Sequence, residues 1–181
     1  MRLRLGLLLV VAIAGPAAAQ TSGYSGQQGR EIKALSAEET ADLLAGRGMG
    51  AARAGELNHF PGPAHVLDLR AQLGLSARQI RAVQDSFDRM SAAARPLGFE
   101  IVVAERRLDE AFASGAIDPE TLRAETAAIG ELQGKLRAVH LAAHLETRAL
   151  LSQEQIARYD ALRGYGGGAP PPGHDHHPHN G

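Results

Sequence analysis

The sequence predicts an all-α protein: a long antiparallel helical hairpin with short flanking helices, assembling as a dimer. Three observations carry this reading. Ala, Leu, Arg, Glu and Gln dominate while β-branched residues are scarce, which favours helix. The body of the chain has no useful stretch of strand-like alternation. Ile80, Val83, Phe87, Met90, Ala94, Leu97, Ile101, Ala104, Leu108 and Ala111 are all apolar and recur at alternating spacings of three and four, the pattern of a helical seam.

The chain opens with Arg2 and Arg4, a short apolar run over residues 5–13 and a small-residue site at Ala17-Ala18-Ala19. This reads as a secretory signal over residues 1–19, cleaved before Gln20. The run is shorter than the roughly 20 apolar residues a spanning helix needs. The mature chain is therefore expected in the periplasm, with no stable membrane span. Residues 20–35 begin polar and Gly-rich and read as a flexible leader. Residues 36–163 form the helical domain, and residues 164–181, rich in Gly, Pro and His, read as a disordered tail.

Within the domain one phrase recurs. Leu75-Ser76-Ala77-Arg78-Gln79-Ile80 matches Leu151-Ser152-Gln153-Glu154-Gln155-Ile156, and Leu35-Ser36-Ala37-Glu38-Glu39 is a looser copy. Each Ser suits a helix N-cap. The Gln or Glu three residues on reaches back to the Ser N–H, and the preceding Leu staples onto the first turn. Helices are thus predicted to start near residues 36, 76 and 152. Asp118-Pro119 starts another. A short one follows Pro63 and runs to about Leu73, stopped by Gly74. The glycines of Gly46-Arg47-Gly48-Met49-Gly50 lack the ending of a phosphate loop and read as a flexible helix break.

The first long helix spans about residues 77–114 and would be about 55 Å long. Pro96 lies off its seam and is expected to bend it. The second spans about residues 119–150. Leu122, Ile129, Leu136, Ala143 and Leu150 fill one seam position and Leu132 and Val139 the other, while Glu125 and Glu146 interrupt them. The short link between the rods folds them back on each other. The short helices then cover the open end, and so thin a bundle leaves no room for a deep pocket.

Composition excludes several functions. A net charge of −1 rules out binding nucleic acid by bulk positive charge, and the lack of Cys rules out disulfides and thiol catalysis. No nucleophile elbow or zinc-protease motif is present, so no enzyme is expected. His140 and His144, four apart on one helix face, can present two imidazoles to one metal ion but need a further ligand. Folding the hairpin about residues 116–117 brings His144 level with Arg89, which makes Asp85 and Asp88 candidates; His65 could reach the same end. The tail adds His174, Asp175, His176, His177 and His179, imidazoles suited to nickel, copper, zinc or cobalt. The many Arg residues alternate with acids. They suit a charged exterior or a surface for unfolded polypeptides.

The Leu-Ser-x-x-Gln phrases at 75–79 and 151–155 resemble the Leu-Thr-x-x-Gln motif of the Spy/CpxP group of small periplasmic proteins. Residues 30–50 and 140–166 are similar to bacterial Spy/CpxP-like chaperones and periplasmic heavy-metal sensors. The resemblance implies a non-enzymatic, cradle-shaped helical homodimer that holds unfolded or misfolded envelope proteins without ATP and requires no cofactor. Related CnrX-type members bind nickel or cobalt through His residues of the first helix, a carboxylate of the second and a late His of the third. His65 resembles the first-helix His, but Leu69 stands where that pattern has a second one. Asp85 or Asp88 would supply the carboxylate, and His140 and His144 lie near the late His. The expected function is a periplasmic stress protein with chaperone-like binding and associated divalent-metal binding at His65, Asp88, His140, His144, His174, His176, His177 and His179. The alternative is a dedicated heavy-metal sensor or scavenger.

Overall fold

The computed structural model describes residues 22–165. The expected signal at 1–19 and the tail histidines lie outside the described residues. Among the described residues six helices follow in order: α1 (Ala37–Leu44), α2 (Arg53–Glu56), α3 (Pro63–Asp68), α4 (Ala77–Ala113), α5 (Pro119–Leu150) and α6 (Gln153–Arg163). The described residues form no β-strand, as the composition predicts.

The helix starts fall where the motifs put them. Ser36, Ser76 and Ser152 each close a capping box with Glu39, Gln79 and Gln155. The Asp118 side chain accepts from the N–H groups of Glu120 and Thr121, and those bonds hold its carboxyl below the usual range. The two Leu-Ser-x-x-Gln phrases also meet in space. Gln79 Nε2 donates to Gln155 Oε1 at 2.8 Å, and Gln155 Nε2 returns a bond to Gln79 Oε1 at 3.3 Å. Gln79 Nε2 also lies 2.9 Å from the Leu150 carbonyl. The repeated phrase thus clamps the start of α4 to the α5–α6 junction.

α4 and α5 pack as the predicted hairpin, and none of the ten seam residues of α4 is exposed. Ile129, Leu136 and Ala143 face them from α5 and are buried. The two acids that interrupt the α5 pattern each meet an Arg of α4. Glu125 bonds Arg107 at 3.0 Å, and Glu146 bonds Arg89 at 2.8 Å and the buried Ser86 hydroxyl at 2.7 Å. The Ser86 and Arg89 bonds hold the Glu146 carboxyl below its ordinary range. Leu122 departs from expectation and is exposed, as is Phe112, because the hairpin tip has few further elements to cover it. α4 runs unbroken through Pro96, whose ring is on the exposed side.

Two apolar clusters lie along the hairpin. One joins Ile32, Leu43, Ala94, Ile101, Val102 and Leu136. The other, at the open end, joins Val66, Leu73, Val83, Leu151, Ile156 and Tyr159. The predicted cover by residues 63–73 and by α6 is therefore present, although regular helix in the first of these stops at Asp68.

Both ends of the expected domain shift. Ile32 of the presumed flexible leader is buried against α4, and the Lys33 N–H donates to Asp109. Ile32 and Leu35 are too few to make a periodic signal, yet burying such a side chain contributes about 2 kcal/mol. At the other end, Gly164 caps α6 at φ 76° and Tyr165 donates to Glu56, so ordered packing continues past residue 163.

α1 crosses α4 at Gly98, where any Cβ would collide with the Leu43 carbonyl. Gly98→Ala is expected to lower stability by about 2 kcal/mol or more, as overpacking against backbone does. Thermal unfolding measures it, and an unchanged midpoint would contradict the close crossing. In a double-mutant cycle of Gln79→Ala and Gln155→Ala, the coupling should be about 1 kcal/mol, within the range for contacting polar pairs.

Candidate functional site

Between the two clusters lies a cleft of about 720 Å³. The expectation of a thin bundle without a deep pocket does not hold. The reason is the Gly46–Gly50 segment, which is a wall and not a loose break. Gly46, Met49 and Gly50 take φ of 72°, 46° and 85°, folding the chain back over the hairpin after α1. Gly48 presents bare backbone to the His140 ring, and a Cβ there would sit 3.1–3.2 Å from it. α2 and the start of α3 close the far side.

His65, His140 and His144 all line this cleft, and Asp88 does not. Asp88 is exposed and accepts from Gln84 on its own helix at 2.9 Å; Asp85 is also exposed. His65 is exposed, whereas His140 and His144 are buried. Burial, then the neighbouring His144, pushes the His140 imidazole pKa below 6.5, so it is neutral at pH 7. Its Nε2 is buried without a hydrogen-bond partner.

His144 is held by residues that the sequence reading missed. Its Nδ1 lies 2.7 Å from the Phe60 carbonyl. A carbonyl only accepts, so Nδ1 is the donor in this bond. The Nε2 side of the ring abuts Gly62, where a Cβ would be 2.9 Å from Cε1 and Nε2. Glu56 Oε2 lies 3.7 Å from Nδ1 and accepts from the Gly62 N–H at 3.2 Å. Glu56 Oε1 takes the hydroxyls of Tyr159 and Tyr165, with Arg163 Nε at 3.6 Å. Burial and the Glu56 contact push the Tyr159 phenol well above its ordinary range. Arg148 lies over the Phe60 ring, 4.6 Å from its centre. Glu56 gives no sequence signal because it sits in a four-residue helix and its partners Tyr159 and Tyr165 come 103 and 109 residues later.

A divalent metal in the bundle fits this arrangement poorly. Among the described residues no three His, Asp or Glu side chains come together as a ligand set. The Nε2 side of His144 is closed by the Gly62 backbone, and Glu56 already accepts from the Gly62 N–H and the hydroxyls of Tyr159 and Tyr165. The tail candidates His174, His176, His177 and His179 lie outside the described residues.

Fold and cleft together define a small helical-hairpin protein with a cleft between its two apolar clusters. Residues 42–158 match the family described as heavy-metal resistance, and the chain belongs to that family. It is the family that includes the CnrX-like and Spy-like periplasmic proteins. No curated protein and no solved structure matches the chain significantly. No helix among the described residues is long and apolar enough to cross a membrane.

His140 also sets a pH dependence. Above about pH 6.5 the imidazole is neutral in folded and unfolded chains alike, and there is no penalty. As pH falls below that value the unfolded chain takes up the proton first, so stability declines until the lower folded pKa is passed. Unfolding midpoints between pH 7.5 and 5.5 should fall more steeply for the wild type than for His140→Asn. Equal slopes would show that His140 does not contribute.

Proposed function

We propose that this protein is a non-enzymatic periplasmic stress protein, a dimeric, ATP-independent holder of unfolded envelope polypeptides with associated divalent-metal binding. The exposed apolar side chains of the hairpin carry this reading. Phe99, Phe112 and Leu145 are 58%, 56% and 59% exposed, and Val103 and Leu122 add to them. Arg residues stand among them; Arg106 and Arg107 pair with Glu31 and Glu125, while Arg123 and Arg137 have no acidic partner among the described residues. Apolar atoms next to mobile positive charge give weak, promiscuous contact with disordered chains, and the charge attracts acidic segments over distance. Membership of the heavy-metal-resistance family supports the link to metal stress.

Suppression of aggregation of a denatured client, without ATP, tests the holding activity. Wild type in several-fold excess should suppress aggregation, and the triple substitution Phe99→Ser, Phe112→Ser, Leu145→Ser should lose most of that effect while remaining folded. No suppression by the wild type sinks the proposal.

The metal arm places nickel, cobalt, copper or zinc on the tail histidines. Calorimetric titration of the full chain, compared with one ending at residue 166, should show the affinity disappear with the tail. A dedicated sensor or scavenger is the second reading, supported by the unpartnered His140 Nε2. It requires the truncated chain to keep its affinity and to lose it in His140→Ala and His144→Ala.

A further inference from the structure

We propose that the cleft is a binding site for a small amphipathic anion, a carboxylate on an apolar chain, with Arg53 and Arg95 as its charge partners. The site lies apart from the exposed residues assigned to unfolded clients, so it does not depend on that reading. Its volume of about 720 Å³ falls within the span of roughly 300–1,000 Å³ found for small-molecule sites.

Charge selects the ligand class. Three Arg residues and one Glu line the cleft. Arg47 is paired with Asp42. Arg53 and Arg95 are exposed and have no acidic partner among the described residues. Glu56, the one acid, already accepts from Tyr159, Tyr165 and the Gly62 N–H. The cleft therefore keeps a net positive charge, which draws an anion and opposes a divalent cation. A guanidinium presents parallel N–H donors that match the two oxygens of a carboxylate.

Apolar lining selects the rest of the molecule. Met49, Leu57, Phe87 and Met90 face the same cleft. Met49 and Leu57 are 46% and 54% exposed, so apolar surface stands open at the charged opening. Two methionines supply flexible, polarisable walls that adapt to a chain of variable shape. The backbone turn at Gly46, Met49 and Gly50 holds this wall in place, and the positive φ of Met49 is an uncommon conformation for a non-glycine residue. His140, another lining residue, has a buried Nε2 without a hydrogen-bond partner.

The test titrates the full chain with decanoate, 1-decanol and decyltrimethylammonium, each below micelle formation, by calorimetry and by NMR of methionine methyl groups. Decanoate should bind one-to-one and saturate, with the alcohol at least ten-fold weaker and the ammonium compound weaker still. The Met49 and Met90 methyl signals should shift. Arg53→Gln with Arg95→Gln should weaken decanoate at least ten-fold, and Phe99→Ser with Phe112→Ser should leave it unchanged. Equal binding of all three compounds, wild-type affinity in the double Arg variant, or loss of binding in the double Phe variant would overturn the proposal. The last result would place the ligand on the outer hairpin surface.

Discussion

The register of α4 against α5 is the constraint on which the rest of this protein depends. A seam of ten apolar positions on α4 meets Ile129, Leu136 and Ala143 of α5. Each large side chain buried in this way stabilises by about 1.5–3 kcal/mol, far more than any surface ion pair. The register is then marked at intervals by polar contacts: Arg107 with Glu125 near the tip, Arg89 and Ser86 with Glu146 further down, and Gln79 with Gln155 at the open end. Slipping the hairpin by one residue would turn buried positions outward and break all three. The ion pairs themselves are exposed and contribute little energy. Their value lies in excluding other alignments.

Everything that shapes the cleft is hung on that frame. The Gly46–Gly50 segment passes over α4 and α5 because α1 crosses α4 at Gly98, where no side chain stands in the way. α2 then carries Glu56 to a point where it joins the start of α3, α5 and the end of α6. A buried carboxylate is costly unless its lone pairs are occupied, and here three donors occupy them. Removing one donor would leave the others around an undersatisfied charge. The Glu56 cluster therefore acts as a second clasp beside the Gln79–Gln155 pair, and it ties the short helices to the hairpin.

The histidines illustrate how one spacing leads to two environments. His140 and His144 are four residues apart and share a helix face, yet His140 packs on Gly48 with its Nε2 unpartnered while His144 donates to Phe60 and is boxed in by Gly62. Their shared spacing suggested a common ligand. The residues around them, contributed by distant segments, give the two rings different surroundings. The same logic applies to Arg47, Arg53 and Arg95, which are unrelated in pattern and become neighbours only because the chain folds back after α1.

Local chemistry was enough to locate the long helices, their caps, the seam and the fold-back. Helix capping and the three-four periodicity act within a few residues, so Ser76, Gln79, Asp118 and Ile80 to Ala111 announce themselves in one dimension. The covering of the open end by residues 63–73 and α6 followed from the short links. What escaped were features made by contacts between distant segments: the burial of Ile32, the crossing at Gly98, the Gly48 wall and the Glu56 clasp. None has a repeating neighbour to reveal it, since each depends on which backbone or side chain arrives from far along the chain. The hairpin belongs to the sequence because its forces are local and periodic. The cleft belongs to the tertiary structure, because packing alone decides which single residues meet there.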